Sequence, residues 1–297
     1  MLLLWRRKSG PCMKLKIHVW GGFGSQLYAL ALLLKLQNSS VRHRKFELVF
    51  HNGGVTLREP EILDLIPSGV DISVVRDFRP ILNYKRQMAN DTLRTTLRNS
   101  LKECGKRFLS ESALVVDLSK GYKQLRWWTL SVRGHYKYLP ISFGVLQQIQ
   151  KSLNGFSGSS ASSPTKDALV VHYRLGDLIG LKTIIPEADL VSAIDASISD
   201  SCTSVMLYTD SIDMVRQFPH SINNRPVVIL DDLIRDMFKK ASSARIFVGT
   251  DSKISFWLTY LRLTEDRYST NVMPKAFKSE LELTIGDSTN FQNLKFY

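Results

Sequence analysis

Apolar and polar positions in the C-terminal half of this chain follow a regular alternation. Short apolar runs at 168–172, 204–208, 226–230 and 244–248 are separated by longer stretches with helical or mixed spacing at 186–198, from Ser211, at 231–241 and at 252–263. Short apolar strands alternating with helices predict a parallel sheet with helices on its faces. In such sheets ligands bind beyond the C-terminal ends of the strands. Those ends carry His172 and Arg174, Thr209 and Asp210, Asp231 and Asp232, and Gly249, Thr250, Asp251 and Ser252.

The N-terminal half opens in the same way. Residues 14–20 alternate as a strand does, Gly21-Gly22-Phe23-Gly24 predicts a turn, 25–36 a strongly apolar helix and 46–50 a second strand. From 79 to 137 the pattern blurs into many basic residues, a helical pattern over 91–104 and an aromatic group of Trp127, Trp128, Tyr136 and Tyr138. Residues 154–165 are rich in Gly and Ser and read as a flexible linker. A chain of 297 residues suffices for two domains, expected at 14–153 and 166–297.

Composition narrows the class. A hydrophobic content of 44% argues against wholesale disorder. No apolar run reaches the roughly 18 residues that a membrane span needs. The opening stub of Met1 to Trp5 precedes its charges Arg6, Arg7 and Lys8, the reverse of a secretory signal. It reads as a frayed terminus or a weak membrane-surface anchor. Cys12, Cys104 and Cys202 form neither a disulfide framework nor a metal-ligand spacing, so a cytoplasmic location is expected. The net charge of +13 is uneven: residues 1–150 carry 24 Lys+Arg against 10 Asp+Glu, and residues 151–297 carry 16 against 17. Such asymmetry suggests that the first half faces a phospholipid surface, a phosphate-bearing acceptor or nucleic acid; a merely solubilising basic face is the plainer reading.

Three segments carry candidate chemistry. In Trp20-Gly21-Gly22-Phe23-Gly24-Ser25-Gln26-Leu27-Tyr28 a strand enters a glycine turn and then a helix, whose N-terminus offers N–H groups to an anion. A dinucleotide fingerprint is the rival reading, but Leu27 stands where its third glycine belongs. A turn needed only for tight packing is the other alternative. In His172-Tyr173-Arg174-Leu175-Gly176-Asp177, an arginine at the mouth of a buried strand needs an anionic partner, and its planar fork suits a phosphate. Asp177 is placed to orient Arg174 or to accept from a sugar hydroxyl; a structural Arg–Asp pair beside a core histidine is the alternative. In Gly249-Thr250-Asp251-Ser252-Lys253-Ile254-Ser255-Phe256-Trp257, Thr250 and Ser252 are candidate helix caps, Lys253 adds a cation, and Ser255 shares a helical face with Ser252. Ile254, Trp257, Leu258 and Leu261 have core spacing. Plain capping is the alternative for this segment.

Taken in order, these segments resemble the α-1,2-fucosyltransferase family. Gly21 to Leu27 matches its glycine-rich GG-x-G-N-Q-L segment, with Ser25 in place of Asn. His172, Arg174, Gly176 and Asp177 match its H-x-R-R-G-D, with Leu175 in place of the second Arg. Ser252, Ser255 and Trp257 match its N-S-T-F-S-W-W, while Asp251, Lys253, Ile254 and Phe256 depart from it. Weaker echoes are the strand ending at Thr209-Asp210 and the segment Val272-Met273-Pro274.

The resemblance implies an α/β fold of two Rossmann-like domains, the GT-B glycosyltransferase architecture, with the donor in the C-terminal domain. It implies GDP-fucose as donor, inversion to an α-linkage and a glycan acceptor such as a surface polysaccharide or lipopolysaccharide. Carried over residue by residue, it places Arg174, Asp177 and His172 in catalysis. It places Gly22, Gly24, Gln26, Arg174, Thr250, Asp251, Ser252, Lys253 and Ser255 around the donor. No cofactor besides the donor is expected. Asp210, Asp213, Asp231 and Asp232 would be the metal ligands if one were used, but adjacent carboxylates opening a helix more often serve its dipole, so no metal is expected. Asp177 is the expected base, with Glu187 and His18 as alternatives. Trp20, Trp127 and Trp128 offer faces for an acceptor sugar, or pack in a core. Expected partners are a nucleotide sugar, a glycan or lipid-linked glycan acceptor and anionic lipid at the inner face of the membrane, and no nucleic acid. Two other classes compete: a non-catalytic sugar-nucleotide-binding relative, and a nucleic-acid-binding protein.

Overall fold

The computed structural model describes residues 14–39, 45–51, 59–77, 114–119, 121–126, 128–134, 136–137, 139–155, 167–175, 184–231, 234–265, 269–285 and 292–297. The helix expected over 91–104, and Trp127, Tyr138, Gly176 and Asp177, lie outside them. The chain divides into two compact units, 1–139 and 140–297. The expected class, α/β with two Rossmann-like domains, is the observed one.

In the first unit, β1 (Leu15–Val19) leads through Gly21 and Gly22 into α1 (Phe23–Asn38). β2 (Phe46–His51), β3 (Ile72–Asp77), β4 (Val115–Asp117) and β5 (Ser131–Arg133) complete a parallel sheet in the order β3-β2-β1-β5-β4. Leu15, Ile17 and Val19 alternate inward at 0–1% exposure, as the period of two demands. α1 is buried almost all round, which explains its run of alanine and leucine.

The second unit begins with a helix absent from the expected elements, α2 (Phe143–Gly155). Its apolar face of Val145, Leu146 and Ile149 packs with the helices of this unit, and just ahead of it Ile141 O accepts from Tyr260 Oη at 3.1 Å. The division therefore falls after Leu139, ahead of the Gly/Ser-rich stretch that composition alone selects. The elements that follow are β6 (Ala168–Tyr173), α3 (Glu187–Asp195), β7 (Ser204–Thr209), β8 (Ser221–Ile222), β9 (Arg225–Leu230) and α4 (Ile234–Ser243). After them come β10 (Ile246–Gly249), α5 (Lys253–Glu265), β11 (Thr270–Met273), α6 (Lys278–Ile285) and β12 (Leu294–Phe296). The segment from Ser211 forms only a 3₁₀ turn at Ile212–Val215 before the β8–β9 hairpin, which turns on Asn223 and Asn224, both at positive φ.

The sheet order is β12-β11-β10-β6-β7-β9-β8, parallel except for β8 against β9. The chain winds outward from β6 through β7 to β9, returns to β10 beside β6, and winds outward again to β12. This is the doubly wound order, and it places a topological switch between β6 and β10. α5 runs back from that switch, covered by α2, α4 and α6, so Ile254, Trp257, Leu258 and Leu261 are all buried. Gly249 permits the approach. A Cβ there would lie 2.4 Å from Met273 Sδ and 2.8 Å from Ser255 Cβ.

Candidate functional site

The residues singled out in the C-terminal half converge on the switch between β6 and β10. Register pairs His172 with Gly249, so the segments that continue from them stand side by side. Thr250 joins the two strand ends. Its hydroxyl donates to His172 O at 2.9 Å and accepts from Arg174 N at 3.3 Å, and its own N–H donates to Ser255 Oγ at 3.1 Å. Thr250 thus clamps β6 to β10, and the cap of α5 is Ser252 alone, whose Oγ accepts from Ser255 N at 3.1 Å.

His172 is buried, with Nδ1 2.7 Å from Ser255 Oγ and 3.4 Å from Ser252 Oγ. Burial, reinforced by the Arg174 cation and opposed by the Asp210 carboxylate, lowers its pKa to about 4. At neutral pH it is an uncharged imidazole whose hydrogen bonds order the turn into α5. Ser255 is fully buried and its hydroxyl is engaged within the same network. Both residues hold the site together from behind it.

Arg174 follows β6 with its side chain 23% exposed, and Nε lies 3.8 Å from Asp210 Oδ2. The other carboxylate oxygen of Asp210 accepts from Leu175 N at 2.9 Å. Asp210 directly follows β7, the neighbouring strand, so one carboxylate fixes both the side chain and the backbone of the arginine segment. The sequence points to Asp177 for that role; the available signal for Asp210 was the weak echo at the end of its strand. Asp251 and Lys253 flank Ser252, both part-buried.

A second residue that sequence reasoning missed is Tyr297. Its backbone joins the end of β11 through Met273 O, and its hydroxyl donates to Gly249 O at 3.0 Å. Burial, with the nearby Asp189, Tyr173 and Asp251, pushes its phenol pKa up. A tyrosine arriving from β12 thus reaches across β11 to the end of β10.

In the first unit the glycine segment turns β1 into α1. Gly21 has φ +78°, and Gly22 occupies the N-cap position of α1 with no side chain to cap it. Gly24 lies inside the first turn of the helix and is buried. Gln26 is 1% exposed and its amide is spent on backbone: Nε2 donates to Glu59 O at 2.8 Å and Gly21 O at 3.2 Å, and Oε1 accepts from Glu61 N at 2.8 Å. Gln26 ties the 59–61 segment to the glycine turn, a role within the fold.

The chain is similar to solved structures of glycosyltransferases. The E. coli heptosyltransferase WaaC with ADP superposes with a TM-score of 0.47 at 12% identity, over 96% of this chain and 92% of that one. A glycosyl transferase family 9 protein from Veillonella parvula gives 0.45 at 10%, over 89% and 81%. The Bradyrhizobium α-1,6-fucosyltransferase NodZ soaked with GDP-fucose gives 0.44 at 13%, over 84% and 92%. No protein-family model and no curated protein sequence matches the chain.

Among the described residues no three His, Cys, Asp or Glu side chains gather as a metal-binding group, and no helix is long and apolar enough to cross a membrane.

Proposed function

We propose that this protein is an inverting glycosyltransferase of GT-B type that binds a nucleotide sugar at the β6–β10 switch and transfers L-fucose from GDP-fucose to a glycan. The observation that carries this reading is Arg174, held by Asp210 and Thr250 at the topological switch of a doubly wound sheet. Departure of the nucleoside diphosphate leaves negative charge on its oxygens, and a preorganised guanidinium is suited to receive it. The N-terminus of α5, capped by Ser252 and flanked by Lys253, adds to that field. With these groups in place the transfer is proposed to need no metal. The acceptor oxygen bonds to C1 of the sugar as the C1–O bond to the diphosphate breaks, and the acceptor proton passes to a carboxylate base, for which Asp177 remains our assignment.

The test is transfer of fucose from GDP-fucose to glycan acceptors in the presence of EDTA, with the anomeric configuration of the product read by NMR. An α-linked product from the β-linked donor supports the reading. Donor binding without transfer or hydrolysis would make the chain a non-catalytic relative.

The charge of the first 150 residues supports peripheral docking on anionic lipid, where each Lys or Arg close to the surface contributes about 1 kcal/mol. Binding to anionic vesicles should fall steeply between 0.1 M and 1 M salt, as the Debye length shrinks from about 10 Å to about 3 Å. It should be absent on neutral vesicles. Salt-independent binding would contradict this electrostatic docking.

A further inference from the structure

β10 ends on Gly249, and the peptide that joins Gly249 to Thr250 lies where the two strand-end segments of the site meet. Its N–H, from Thr250, donates to Ser255 Oγ at 3.1 Å. Its carbonyl, from Gly249, accepts from Tyr297 Oη at 3.0 Å. Carbonyl and N–H point in opposite directions across a trans peptide. One peptide group is therefore gripped at both poles, by α5 on one side and by the residue that follows β12 on the other.

This peptide needs such a grip. Packing leaves no room for a side chain at position 249, where a Cβ would lie 2.4 Å from Met273 Sδ. The glycine that the space demands is also the residue with the freest φ and ψ, so it brings no steric restraint of its own. β11 does not supply one either. The β10–β11 ladder closes with Val248 opposite Val272, and β11 runs into Pro274, which has no N–H to give. Tyr297 reaches this point because its own backbone is pinned. Its N–H donates to Met273 O at 3.0 Å, and its carbonyl accepts from Lys275 N at 2.9 Å. The phenol thus takes the place of the missing ladder donor.

Packing alone is served by the ring, which lies part-buried against the core cluster that includes Val248 and Val272. A phenylalanine would make those contacts without desolvating a hydroxyl. Burial, with the nearby Asp189, Tyr173 and Asp251, pushes the phenol pKa up, so the hydroxyl keeps the proton it gives to Gly249 O. What the hydroxyl adds is the direction of one peptide, and Thr250 passes that direction on. The threonine hydroxyl donates to His172 O at 2.9 Å and accepts from Arg174 N at 3.3 Å. A rotation of the Gly249–Thr250 peptide would move that hydroxyl, and with it the backbone that presents the Arg174 guanidinium.

We infer that Tyr297 is a positioning residue of the β6–β10 site: its hydroxyl fixes the Gly249–Thr250 peptide and, through Thr250, the backbone of Arg174. The inference rests on the proposed function only in taking that arginine to meet a nucleoside diphosphate.

The test is Tyr297→Phe in the whole chain, which keeps the ring and removes one oxygen. Amide hydrogen exchange followed by NMR should show Thr250 and Arg174 exchanging at least about tenfold faster, with Val171 and Val205 in the strand cores unchanged. Fucose transfer from GDP-fucose should lose about tenfold in kcat while KM changes by less than about threefold, because a displaced guanidinium loses most where charge develops. In a Thr250→Val background, where no hydroxyl passes the restraint on, Tyr297→Phe should lower kcat by less than about a further twofold. Unchanged exchange at Thr250 in Tyr297→Phe would overturn the inference. So would faster exchange with kcat and KM both unaltered in a chain that transfers fucose, which would make the hydroxyl purely structural. An equal loss of kcat in both backgrounds would overturn the route through Thr250. A wild-type chain that neither binds GDP-fucose nor transfers fucose would remove the donor assignment, and faster exchange at both Thr250 and Arg174 in Tyr297→Phe would still support the link from Tyr297 to the arginine segment.

Discussion

Arg174 and Asp210 directly follow adjacent parallel strands, with Nε 3.8 Å from Oδ2, and the second oxygen of Asp210 takes the N–H of Leu175 at 2.9 Å. The carboxylate so fixes the guanidinium that the proposed diphosphate would meet. Arg174→Ala should lower the transfer rate by about a hundredfold or more, since one charge-assisted contact to developing negative charge is worth roughly 3 kcal/mol. Asp210→Asn keeps an acceptor for Leu175 N and loses only the charge, so its effect should be smaller than that of Asp210→Ala. Equal activity in Arg174→Ala and wild type, at equal thermal stability, would make the arginine purely structural.

His172 gives stability a defined pH dependence. Its pKa is lowered from 6.5 to about 4 by burial and by Arg174. The unfolded chain accepts a proton that the native imidazole refuses. The stability this provides is therefore present above about pH 6.5 and is lost as pH falls toward about 4, on the order of 3 kcal/mol over the whole window. Urea unfolding of wild type and His172→Asn across that range should show the steeper loss in wild type. Parallel profiles would contradict the buried neutral imidazole.

Arg262 is 1% exposed and meets a set of neutral acceptors. Its guanidinium donates to the carbonyls of Ala241, Ala244, Arg245 and Thr270, and Nε donates to Asn271 Oδ1 at 2.7 Å. It ties the C-terminal end of α4 to the strands β10 and β11. Arg262→Met preserves much of the volume and strands these acceptors, each costing roughly 1–3 kcal/mol when buried unpaired. Chemical denaturation should show a loss of at least about 3 kcal/mol, with donor affinity of the folded fraction unchanged. A loss below about 1 kcal/mol would mean that water replaces the guanidinium.

The second unit was the more legible from sequence because its central strands β6 and β10 are buried on both faces. Residues 168–173 are buried throughout, so the run reads as a strand without alternation, and the polar residues that end it stand out. The Arg174–Asp210 pair was not legible. Asp177 is three residues away in the chain, whereas Asp210 is brought beside Arg174 only by strand pairing across 36 positions. Thr250 and Ser252 looked alike as caps, and only register shows that Thr250 lies beside the end of β6 and serves as a clamp. Gln26 matched a family motif, but its three backbone partners, two of them beyond 30 residues away, were not legible. The His18–His51 pair was invisible because the two histidines meet through the register of β1 and β2, 33 residues apart. α2 has amphipathic spacing at Val145, Leu146 and Ile149, a signal present in the chain but overshadowed by the glycine-rich stretch that follows it.

The most direct test of the donor site is calorimetric titration of GDP-fucose into wild type and Arg174→Ala, each with EDTA present. The account predicts one binding site in wild type that survives EDTA, and affinity weakened by about a hundredfold in the variant. Binding of UDP-sugars in preference to GDP-fucose, a strict requirement for Mn²⁺, or undiminished affinity in Arg174→Ala would contradict it.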